Sequence, residues 1–342
     1  MEFEKFCNST TKTEEAKILK LYLDENPDII ICPVDKSKNL DVFDLKDYTK
    51  KLDDVFEPSK FKKLRINPIH QDLESFNKII TNFKQFVSHS DAYKIQPIDA
   101  IKRAYGLAKN HKENIPLRPI VSSLNSITSG SEAFLQNLIS PITNSCKFSV
   151  ESTIELKIFF LEIEGFNSEE YEIVTFDCVS LYTSININLV LEHILNIIYL
   201  EPTKYFPPKT KIVTIKKVQT AKILEPPSRE TLKSFFKNIL TDYNNFHALT
   251  GFYKQTSGCS MGSKLSPGLA NIFCSLFETE IIEPLINSGK ILHYSRYVDD
   301  IFCILRKGEK ISLLKKLNNF DTELNFTVNV MNNSKLTFWT LM

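Results

Sequence analysis

The chain has 342 residues, and 42% of them are hydrophobic, which is enough to build a sizeable core in one large domain or in two to three subdomains. No apolar run is long enough to span a membrane, the amino terminus MEFEKFCNST does not match a signal peptide, and seven scattered cysteines argue against a disulfide framework and for a reducing compartment. The formal net charge of only +1 excludes overall positive charge as a means of binding nucleic acid, so any such binding has to rely on local basic patches.

The first 95 residues are predicted to be mostly helical. Apolar side chains recur at helical spacing from Glu14 to Leu23 and from Phe76 to Phe86. A first basic patch lies between these segments and consists of Lys60, Lys62, Lys63 and Arg65. Because charge runs of this kind usually mark a solvated face, we interpret the patch as the exposed side of a helix.

The segment from residue 96 to residue 170 contains a predicted helix from Gly130 to Ile139. A strand follows, starting at Tyr171, and it is rich in β-branched and aromatic residues. The strand ends at Asp177, so a carboxylate is expected at a strand terminus.

Residues 201–230 form a predicted surface insertion bounded by prolines. Two short runs within it, 212–215 and 221–224, indicate a hairpin. A second basic patch belongs to this insertion and consists of Lys204, Lys209, Lys211, Lys216, Lys217, Lys222 and Arg229. Two interpretations of the insertion remain open: it contacts the backbone of a template or primer, or it is merely a soluble insertion.

A loop of small residues runs from Gly258 to Pro267 and leads directly into a predicted core helix. Ser266 is predicted as the N-cap of this helix and Pro267 as its first residue. Apolar residues then fall at positions i, i+3, i+4 and i+7, namely Leu269, Ile272, Phe273 and Leu276. Because glycines and serines let a backbone closely approach a flat partner such as a base pair, the loop is a candidate binding element.

The decapeptide from Tyr294 to Cys303 predicts a hairpin with two adjacent carboxylates, Asp299 and Asp300, at its tip. A turn needs only one Asp, and a second adds like-charge repulsion unless a positive partner lies near the pair. If the pair is considered alone, a solvated hairpin tip is the alternative to a metal site. Asp177 favours the metal site because it offers a third carboxylate. Hard oxygen ligands of this kind suit Mg²⁺, and two such ions stabilise the attacking and leaving oxygens of a phosphoryl displacement. The predicted chemistry is nucleotidyl transfer.

The tail that starts at Ile311 is predicted to form one helix and then two strands. The strands cover residues 326–330 and 336–341 and consist mainly of β-branched, aromatic and other apolar side chains. No internal repeat or low-complexity segment is present in the sequence.

Three of these segments resemble motifs A, B and C of reverse transcriptases, and most closely those of Penelope-like elements, which are related to telomerase-type reverse transcriptases. The segments read FDCVSLYTSI, GFYKQTSGCSMGSKLSPGLANIF and RYVDDIF. Upstream, YGLAKNHK and PLRPIVS resemble the fingers segment of the family, and VDKSKN resembles its N-terminal extension. Together these motifs, in the family's order, span roughly residues 30–340.

The resemblance implies an α+β right-hand polymerase fold with fingers and palm subdomains. Residues 1–95 would be a mostly helical extension, 96–170 the fingers, 171–310 the palm with the catalytic carboxylates, and 311–342 the end of the palm. Because the sequence stops at Met342, the thumb is expected to be absent or truncated, and no room is expected for a GIY-YIG endonuclease.

The resemblance also implies roles for single residues. Asp177, Asp299 and Asp300 would be the catalytic carboxylates and would hold two Mg²⁺ ions, for which Mn²⁺ could substitute. Tyr182 would lie against the sugar of the incoming nucleotide, where its ring would clash with a 2′-hydroxyl, and a simply packed tyrosine is the alternative. Arg118 would grip the triphosphate, since its fork of donors suits bidentate phosphate contact.

Four further residues are candidates for nucleotide binding. Lys112, like Lys109, would contact the same anion, although surface lysines are usually only solvated. Met261 and Gly262 would line the nucleotide site from the small-residue loop.

Two segments depart from the family pattern. Lys264 stands where the family usually has a proline, which would either loosen the loop or add a phosphate contact. Trp339 and Thr340 stand where the family tends to show a Phe-Leu-Asp element like a primer grip, which puts primer positioning in doubt.

The implied function is that of an RNA-directed DNA polymerase of a Penelope-like retroelement. Its partners would be an RNA or DNA template, a DNA primer and dNTPs, with no membrane, and the family resemblance implies an intracellular, nuclear protein. The alternative is a truncated or domesticated remnant that binds nucleic acid with weak or no catalysis. RNA synthesis from NTPs is disfavoured by Tyr182.

Overall fold

A computed structural model describes residues 14–150, 155, 167, 169–208, 210–215 and 218–330. The first half of the chain contains, in order, α1 (Glu14–Glu25), β1 (Ile29–Pro33), β2 (Leu40–Asp44), α2 (Leu45–Asp54), β3 (Phe61–Leu64), α3 (Ile69–Phe83), α4 (His89–Lys94), β4 (Lys102–Ala108), β5 (Leu117–Ser122) and α5 (Ser129–Thr143). The second half contains β6 (Tyr171–Cys178), α6 (Leu181–Ser184), α7 (Ile187–Leu200), α8 (Pro202–Tyr205), β7 (Thr210–Ile215), β8 (Val218–Ile223), α9 (Arg229–Lys237), β9 (Asn245–Ala248), β10 (Gly251–Gln255), α10 (Ser266–Phe277), α11 (Glu283–Asn287), β11 (Ile291–Tyr297), β12 (Asp300–Arg306), α12 (Lys310–Phe320) and β13 (Phe326–Val330).

A four-stranded antiparallel sheet, in the order β11-β12-β6-β13, lies at the centre of the larger hydrophobic core. Its central strand β12 buries five consecutive residues from Ile301 to Leu305, as expected for a strand that is covered on both faces. Helices α3, α5, α7, α9 and α10 contribute their apolar faces to the same core. The predicted apolar face of α10 is confirmed, with three of its four residues fully buried and Leu276 partly buried.

A five-stranded sheet, in the order β3-β10-β9-β4-β5, carries a second and smaller core together with β1, β2 and α2. All of its pairings are antiparallel except that of β4 with β9. Strands from the first 122 residues therefore pair with strands that follow residue 244. This long-range pairing connects the predicted fingers segment to the segment that carries the predicted catalytic carboxylates.

The prediction of a mostly helical first 95 residues is wrong for β1, β2 and β3. It is confirmed for α1 and for α3, which runs from Ile69 to Phe83 instead of from Phe76 to Phe86. The first basic patch does not form a helix face, because Phe61 to Leu64 form an edge strand paired with β10. Phe61 anchors this strand by packing edge-on against Phe56 and Phe246, and Lys62 and Lys63 remain exposed beside it.

Most of the other predicted elements are present. The helix over residues 130–139 lies within α5, the insertion contains the antiparallel hairpin of β7 and β8, and the tail contains α12 and β13. The predicted strand over residues 336–341 and the primer-grip position at Trp339 and Thr340 lie outside the described residues. No helix among the described residues is long and apolar enough to cross a membrane. Six of the seven cysteines belong to the described part of the chain, and these six are not in disulfides.

Candidate active site

The three predicted carboxylates come together at one end of the four-stranded sheet. Asp300 is the first residue of β12 and pairs directly with Asp177 on β6. Residues that lie opposite each other in an antiparallel pair project from the same face with Cβ atoms about 4.5–5.5 Å apart. Asp299 lies in the turn beside them, and its carbonyl accepts a hydrogen bond from the backbone N–H of Cys178 at 3.3 Å. The sequence pattern therefore predicted the hairpin and the meeting of its carboxylates with Asp177.

The turn of the hairpin holds an unusual backbone conformation. Tyr297 pairs with Asp300, so Val298 and Asp299 form a two-residue connection. Val298 has a φ of 55°, in the left-handed region that β-branched residues strongly disfavour. Such outliers persist only where the surrounding structure imposes them, and they concentrate at functional sites.

The carboxylates repel one another. Burial, and then the charges of Asp299 and Asp177, raise the pKa of Asp300 to about 6. Burial and the charge of Asp299 also raise the pKa of Asp177, although this residue is exposed at the end of its strand. Nearby positive charges oppose both shifts without cancelling them. The cluster therefore favours a cation.

These residues fit a divalent cation. No group of three or more His, Cys, Asp or Glu side chains in the described ranges is arranged to hold a metal ion. Mg²⁺ does not require such a cage, because it keeps several waters and is usually bound by one or two carboxylates together with substrate phosphates. Asp177, Asp299 and Asp300 offer hard oxygen donors with unbalanced negative charge, which is the donor chemistry that Mg²⁺ selects.

A buried arginine holds the hairpin turn in place. Arg296 is 1% exposed, and its Nη1 donates to the carbonyl of Val298 at 2.9 Å and to Asn271 Oδ1 at 3.0 Å. Its Nε lies 2.6 Å from Oε1 of Glu278, which is equally buried and also accepts a hydrogen bond from Tyr294 Oη at 3.0 Å. Glu278 begins a π-helical turn, Glu278–Ile282, directly after α10, a feature frequent at functional sites. The turn that carries Asp299 is thus connected to α10 through a buried ion pair.

The small-residue loop before α10 contacts two neighbouring segments. Met261 O accepts a hydrogen bond from Val121 N of β5 at 2.6 Å, and Gly262 follows with a φ of 113°. At the other end of the loop, Cys259 N donates to Tyr182 O at 2.7 Å. The loop therefore joins β5, which carries Arg118, to the segment that carries Tyr182.

A buried polar network supports the loop from below. Lys102 Nζ lies 2.9 Å from Glu132 Oε1 and 3.0 Å from Asn244 Oδ1. Ser263 Oγ donates to Glu132 Oε2 at 2.7 Å, and Ser260 Oγ donates to Asn244 Oδ1 at 2.8 Å. Although burial acts to raise it, the charge of Lys102 and the surrounding hydrogen bonds hold the pKa of Glu132 below its usual value. The loop hydroxyls are therefore held by a carboxylate, an amide and a lysine from three distant parts of the chain.

Ser266 does not act as the predicted N-cap. Helix α10 begins at Ser266 with Pro267 as its second residue, and the Ser266 hydroxyl donates to Ser260 O at 2.7 Å. Ser263 Oγ instead accepts from Leu265 N at 3.2 Å. The helix start therefore has no side-chain cap, and the two hydroxyls bond within the loop instead.

Gly258 offers a test of this loop. It has a φ of 62°, and a Cβ at this position would lie 2.3 Å from Tyr182 O and 2.5 Å from backbone atoms of Thr183. We expect Gly258→Ala to displace the loop from Tyr182, to raise the KM for nucleotide about tenfold or more, and to lower the free energy of unfolding by about 2 kcal/mol or more. Steady-state kinetics and chemical denaturation measure the two effects.

Gly289→Ala is the matched control for Gly258→Ala. Gly289 has a similar φ of 70°, but a Cβ there would meet nothing within 4 Å. This variant should show only the left-handed backbone cost of about 1–2 kcal/mol and an unchanged KM. Equal KM values for the two variants would contradict the role assigned to the loop contact.

Tyr182 lies beside the carboxylates. It packs partly buried against the larger core, and its pKa is raised by burial and by the charge of Asp299, with Arg118 acting in the opposite direction. The phenol is therefore within electrostatic reach of both a carboxylate and the predicted triphosphate-binding arginine. This position is consistent with contact to a substrate as well as with packing.

A group of cations, Lys109, Lys112 and Arg118, lies near the carboxylates. The pKa of Lys109 is lowered by burial and by the positive charges of Arg118 and Lys112. The charges of Lys112 and Arg118 also act on Asp177. Because Arg118 and Lys112 act on both Lys109 and Asp177, the cations form a positive cluster next to the negative one. Such a pair of clusters suits a polyanion that is bound together with metal ions.

Sequence reasoning missed the residues that support the site. Arg296 lies within the quoted hairpin motif, and Glu132 lies within the quoted helix, but neither was assigned a role. The available signal was a single charged side chain inside an otherwise apolar or small-residue stretch, since such a charge is almost never buried without a partner. Lys264, at the position where the family usually has a proline, is exposed.

The comparisons with known proteins agree with this geometry. The family profile described as reverse transcriptase (RNA-dependent DNA polymerase) matches residues 110–340, more than half of the chain. Similar solved structures include apo telomerase from Candida tropicalis, with a TM-score of 0.56 and 13% identity over 90% of this chain and 53% of that chain. Another is telomerase from Candida albicans in complex with the TWJ fragment of telomeric RNA, with a TM-score of 0.52 and 12% identity over 90% of this chain and 50% of that chain.

The structural similarity is limited to the fold. Identities of 12% and 13% do not transfer function, and this chain spans about half the length of these two telomerase chains. A search of curated proteins found no match.

Proposed function

The chain belongs to the reverse transcriptase family, and on this premise we propose that it is an RNA-directed DNA polymerase that extends a DNA primer with dNTPs. The observation that carries the proposal is the pairing of Asp177 with Asp300 at the end of a hairpin, next to the cation cluster that contains Arg118. Members of the family generally use divalent metal ions. We propose that two Mg²⁺ ions, or Mn²⁺ in their place, are held by Asp177 and Asp299 with help from Asp300.

The proposed reaction is an in-line nucleotidyl transfer. The 3′-hydroxyl of the primer attacks the α-phosphorus of the dNTP, and the bond from this phosphorus to the pyrophosphate leaving group breaks as the new P–O bond forms. Divalent cations bound by the carboxylates supply charge stabilisation to the attacking and leaving oxygens. Arg118 and Lys112 bind the triphosphate, and Met261 and Gly262 support the nascent base pair from the loop.

The wider assignment follows from the sequence motifs. We propose that residues 96–170 and 171–310 are the fingers and palm of a right-hand polymerase and that the chain derives from a Penelope-like retroelement. Its partners are then a nucleic-acid template and a DNA primer, and its site of action is the nucleus. The motif wording quoted above supports this subtype.

The proposal is tested by Mg²⁺-dependent extension of an oligo-dT primer on poly(rA). We expect extension by the wild-type chain, none in the presence of a chelator, and none by Asp299→Ala/Asp300→Ala. Primer–template binding is measured in parallel by fluorescence anisotropy. Absence of extension by a folded wild-type chain that still binds the primer–template would overturn the proposal and favour a binding protein that retains the carboxylates.

Tyr182 is proposed to exclude ribonucleotides. Tyr182→Ala removes the ring that would clash with a 2′-hydroxyl, so we expect the preference for dTTP over UTP to fall by about 10–100-fold in kcat/KM. Tyr182→Phe keeps the ring and should keep the preference. A Tyr182→Ala variant with unchanged discrimination would show that this tyrosine serves only in packing.

A further inference from the structure

We propose that the amino-terminal segment 34–36 completes the triphosphate site, with Asp35 positioning the guanidinium of Arg118 and Lys36 contacting the phosphates of the incoming nucleotide. This inference rests on the proposed function and extends it to a part of the chain that lies outside the matched range 110–340.

Backbone contacts hold the segment against the strands that carry the cation cluster. Val34 forms a parallel bridge with Ala108, and Asp35 N donates to Ala108 O at 2.9 Å. Ala108 is the last residue of β4, and the preceding residue, Leu107, pairs with Arg118 on β5. Asp35 and Lys36 are therefore placed by main-chain bonds beside Arg118 and Lys109.

Asp35 forms an ion pair with Arg118. The distance from Asp35 Oδ2 to Arg118 Nε is 3.2 Å, and the side chain of Asp35 is 4% exposed whereas that of Arg118 is 30% exposed. A buried carboxylate requires a positive partner, and because Asp35 Oδ2 has no hydrogen-bond partner among the described residues, its charge acts on the guanidinium through this ion pair.

The geometry of the contact leaves the far end of the guanidinium available. The engaged atom is Nε, and among the described residues no hydrogen bond or ion pair involves the two terminal nitrogens of Arg118. Two parallel N–H groups are the arrangement that binds a phosphate in a bidentate manner. Asp35 therefore orients Arg118 while leaving its phosphate-binding edge open.

Lys36 follows Asp35 directly and is therefore placed by the same main-chain contacts at the end of β4, near Arg118. It is exposed, and its φ of 57° is one that residues other than Gly, Asn and Asp rarely adopt. Lys109, whose pKa is lowered by burial and by the charges of Arg118 and Lys112, is also affected in the same direction by the charge of Lys36. Within the described residues no ion pair engages Lys36.

This placement favours the triphosphate over the template as the ligand of Lys36. A nucleotide that reacts beside Asp177 and Asp300 carries its β- and γ-phosphates toward the cations that surround Arg118. The main-chain bond from Asp35 N to Ala108 O and the ion pair of Asp35 with Arg118 place Lys36 on the side of these cations, as a contact to the phosphates requires.

The test compares Lys36→Ala with Lys38→Ala, an exposed lysine two residues further along the same turn. For Lys36→Ala we expect the KM for dTTP on poly(rA)/oligo-dT to rise about tenfold with little change in kcat, the result expected for loss of one charged hydrogen bond made in both ground and transition states. We also expect inhibition by added pyrophosphate to weaken, because pyrophosphate would use the same contact. Lys36→Arg should restore both, and Lys38→Ala should match the wild-type chain.

A binding measurement separates this inference from the proposed function. With a primer ended by a dideoxynucleotide, dTTP stabilises the complex of protein and primer–template without turnover, and Lys36→Ala should require about tenfold more dTTP for the same effect. A wild-type chain that neither extends primers nor responds to dTTP would overturn the proposed function itself. An active wild-type chain with an unchanged dTTP requirement in Lys36→Ala would overturn only the role of Lys36, and a change confined to primer–template affinity would assign this lysine to the template.

Asp35 is tested by its dependence on Arg118. Asp35→Asn is expected to raise the KM for dTTP in the wild-type background and to have no further effect in an Arg118→Ala background, because its role is exerted through that guanidinium. Equal effects of Asp35→Asn in both backgrounds would contradict a positioning role.

Discussion

Replacing Asp177 with Asn is expected to reduce primer extension by about a thousandfold or more while raising the thermal stability of the metal-free protein. Charge stabilisation by metal ions in phosphoryl transfer is worth several kcal/mol, and about 4 kcal/mol corresponds to about a thousandfold in rate. An Asn keeps the size of the side chain and its place opposite Asp300, but it removes the charge that would hold the ions.

The stability gain follows from the direction of the pKa shift. Burial and the charge of Asp299 raise the pKa of Asp177 above its value in the unfolded chain. For an acid, a raised pKa in the folded state means that folding disfavours the charged form. At pH values above this pKa the charged carboxylate therefore lowers the free energy of unfolding, and removing the charge raises that free energy again. We therefore expect a higher Tm for Asp177→Asn than for the wild-type chain at pH 7.5 in the presence of a chelator.

Added Mg²⁺ should change this order of Tm values. A ligand that binds only the folded state raises the Tm, so Mg²⁺ should stabilise the wild-type chain more than it stabilises Asp177→Asn. Asp54→Asn is the matched control, because Asp54 is exposed at the end of α2, far along the chain from the carboxylates. It should match the wild-type chain in extension rate and in its response to Mg²⁺. Wild-type rates in Asp177→Asn would contradict the assignment of this carboxylate to the metal site.

The parts of the fold that could be predicted are those determined by local sequence pattern. The hairpin of β11 and β12, the strand that ends at Asp177 and the apolar face of α10 each depend on periodicity within a short window. The carboxylate cluster could be predicted because all of its members lie at the ends of such elements. The pairing of Asp177 with Asp300 then follows from the antiparallel register.

The parts that could not be predicted depend on long-range contacts. Strand β3 has only four residues and two lysines, and it exists because it pairs with β10 about 190 residues later. The partners of the ion pairs are likewise distant in sequence, since Lys102 pairs with Glu132 and Asp35 pairs with Arg118. A charged residue in the sequence is ordinarily assigned to solvent, and only the tertiary structure shows that its counter-charge is brought to it.

Arg296→Met is expected to have the largest effect on stability. Removing one partner of a buried ion pair leaves the other charge without compensation and costs about 3–5 kcal/mol. Glu278 would be that residue, since it is 1% exposed and lies 2.6 Å from Arg296. The same change removes the hydrogen bond to Val298 O that restrains the turn before Asp299. We expect chemical denaturation to show this loss of stability and primer extension to be abolished, even at temperatures where the variant remains folded.

A second variant separates the structural role of Arg296 from its positioning role. Arg296→Met/Glu278→Gln removes both charges and keeps an acceptor for Tyr294 Oη, so most of the lost stability should return. One nitrogen of Arg296 and one oxygen of Glu278 have no hydrogen-bond partner within the described structure, so the pair is far from an ideal source of stability. Because nothing in the double variant replaces the bond to Val298 O, its extension rate should stay low although its stability recovers. If stability and extension recovered together, Arg296 would be only one half of a charge pair; if extension alone stays low, the buried arginine holds the catalytic turn in its strained conformation.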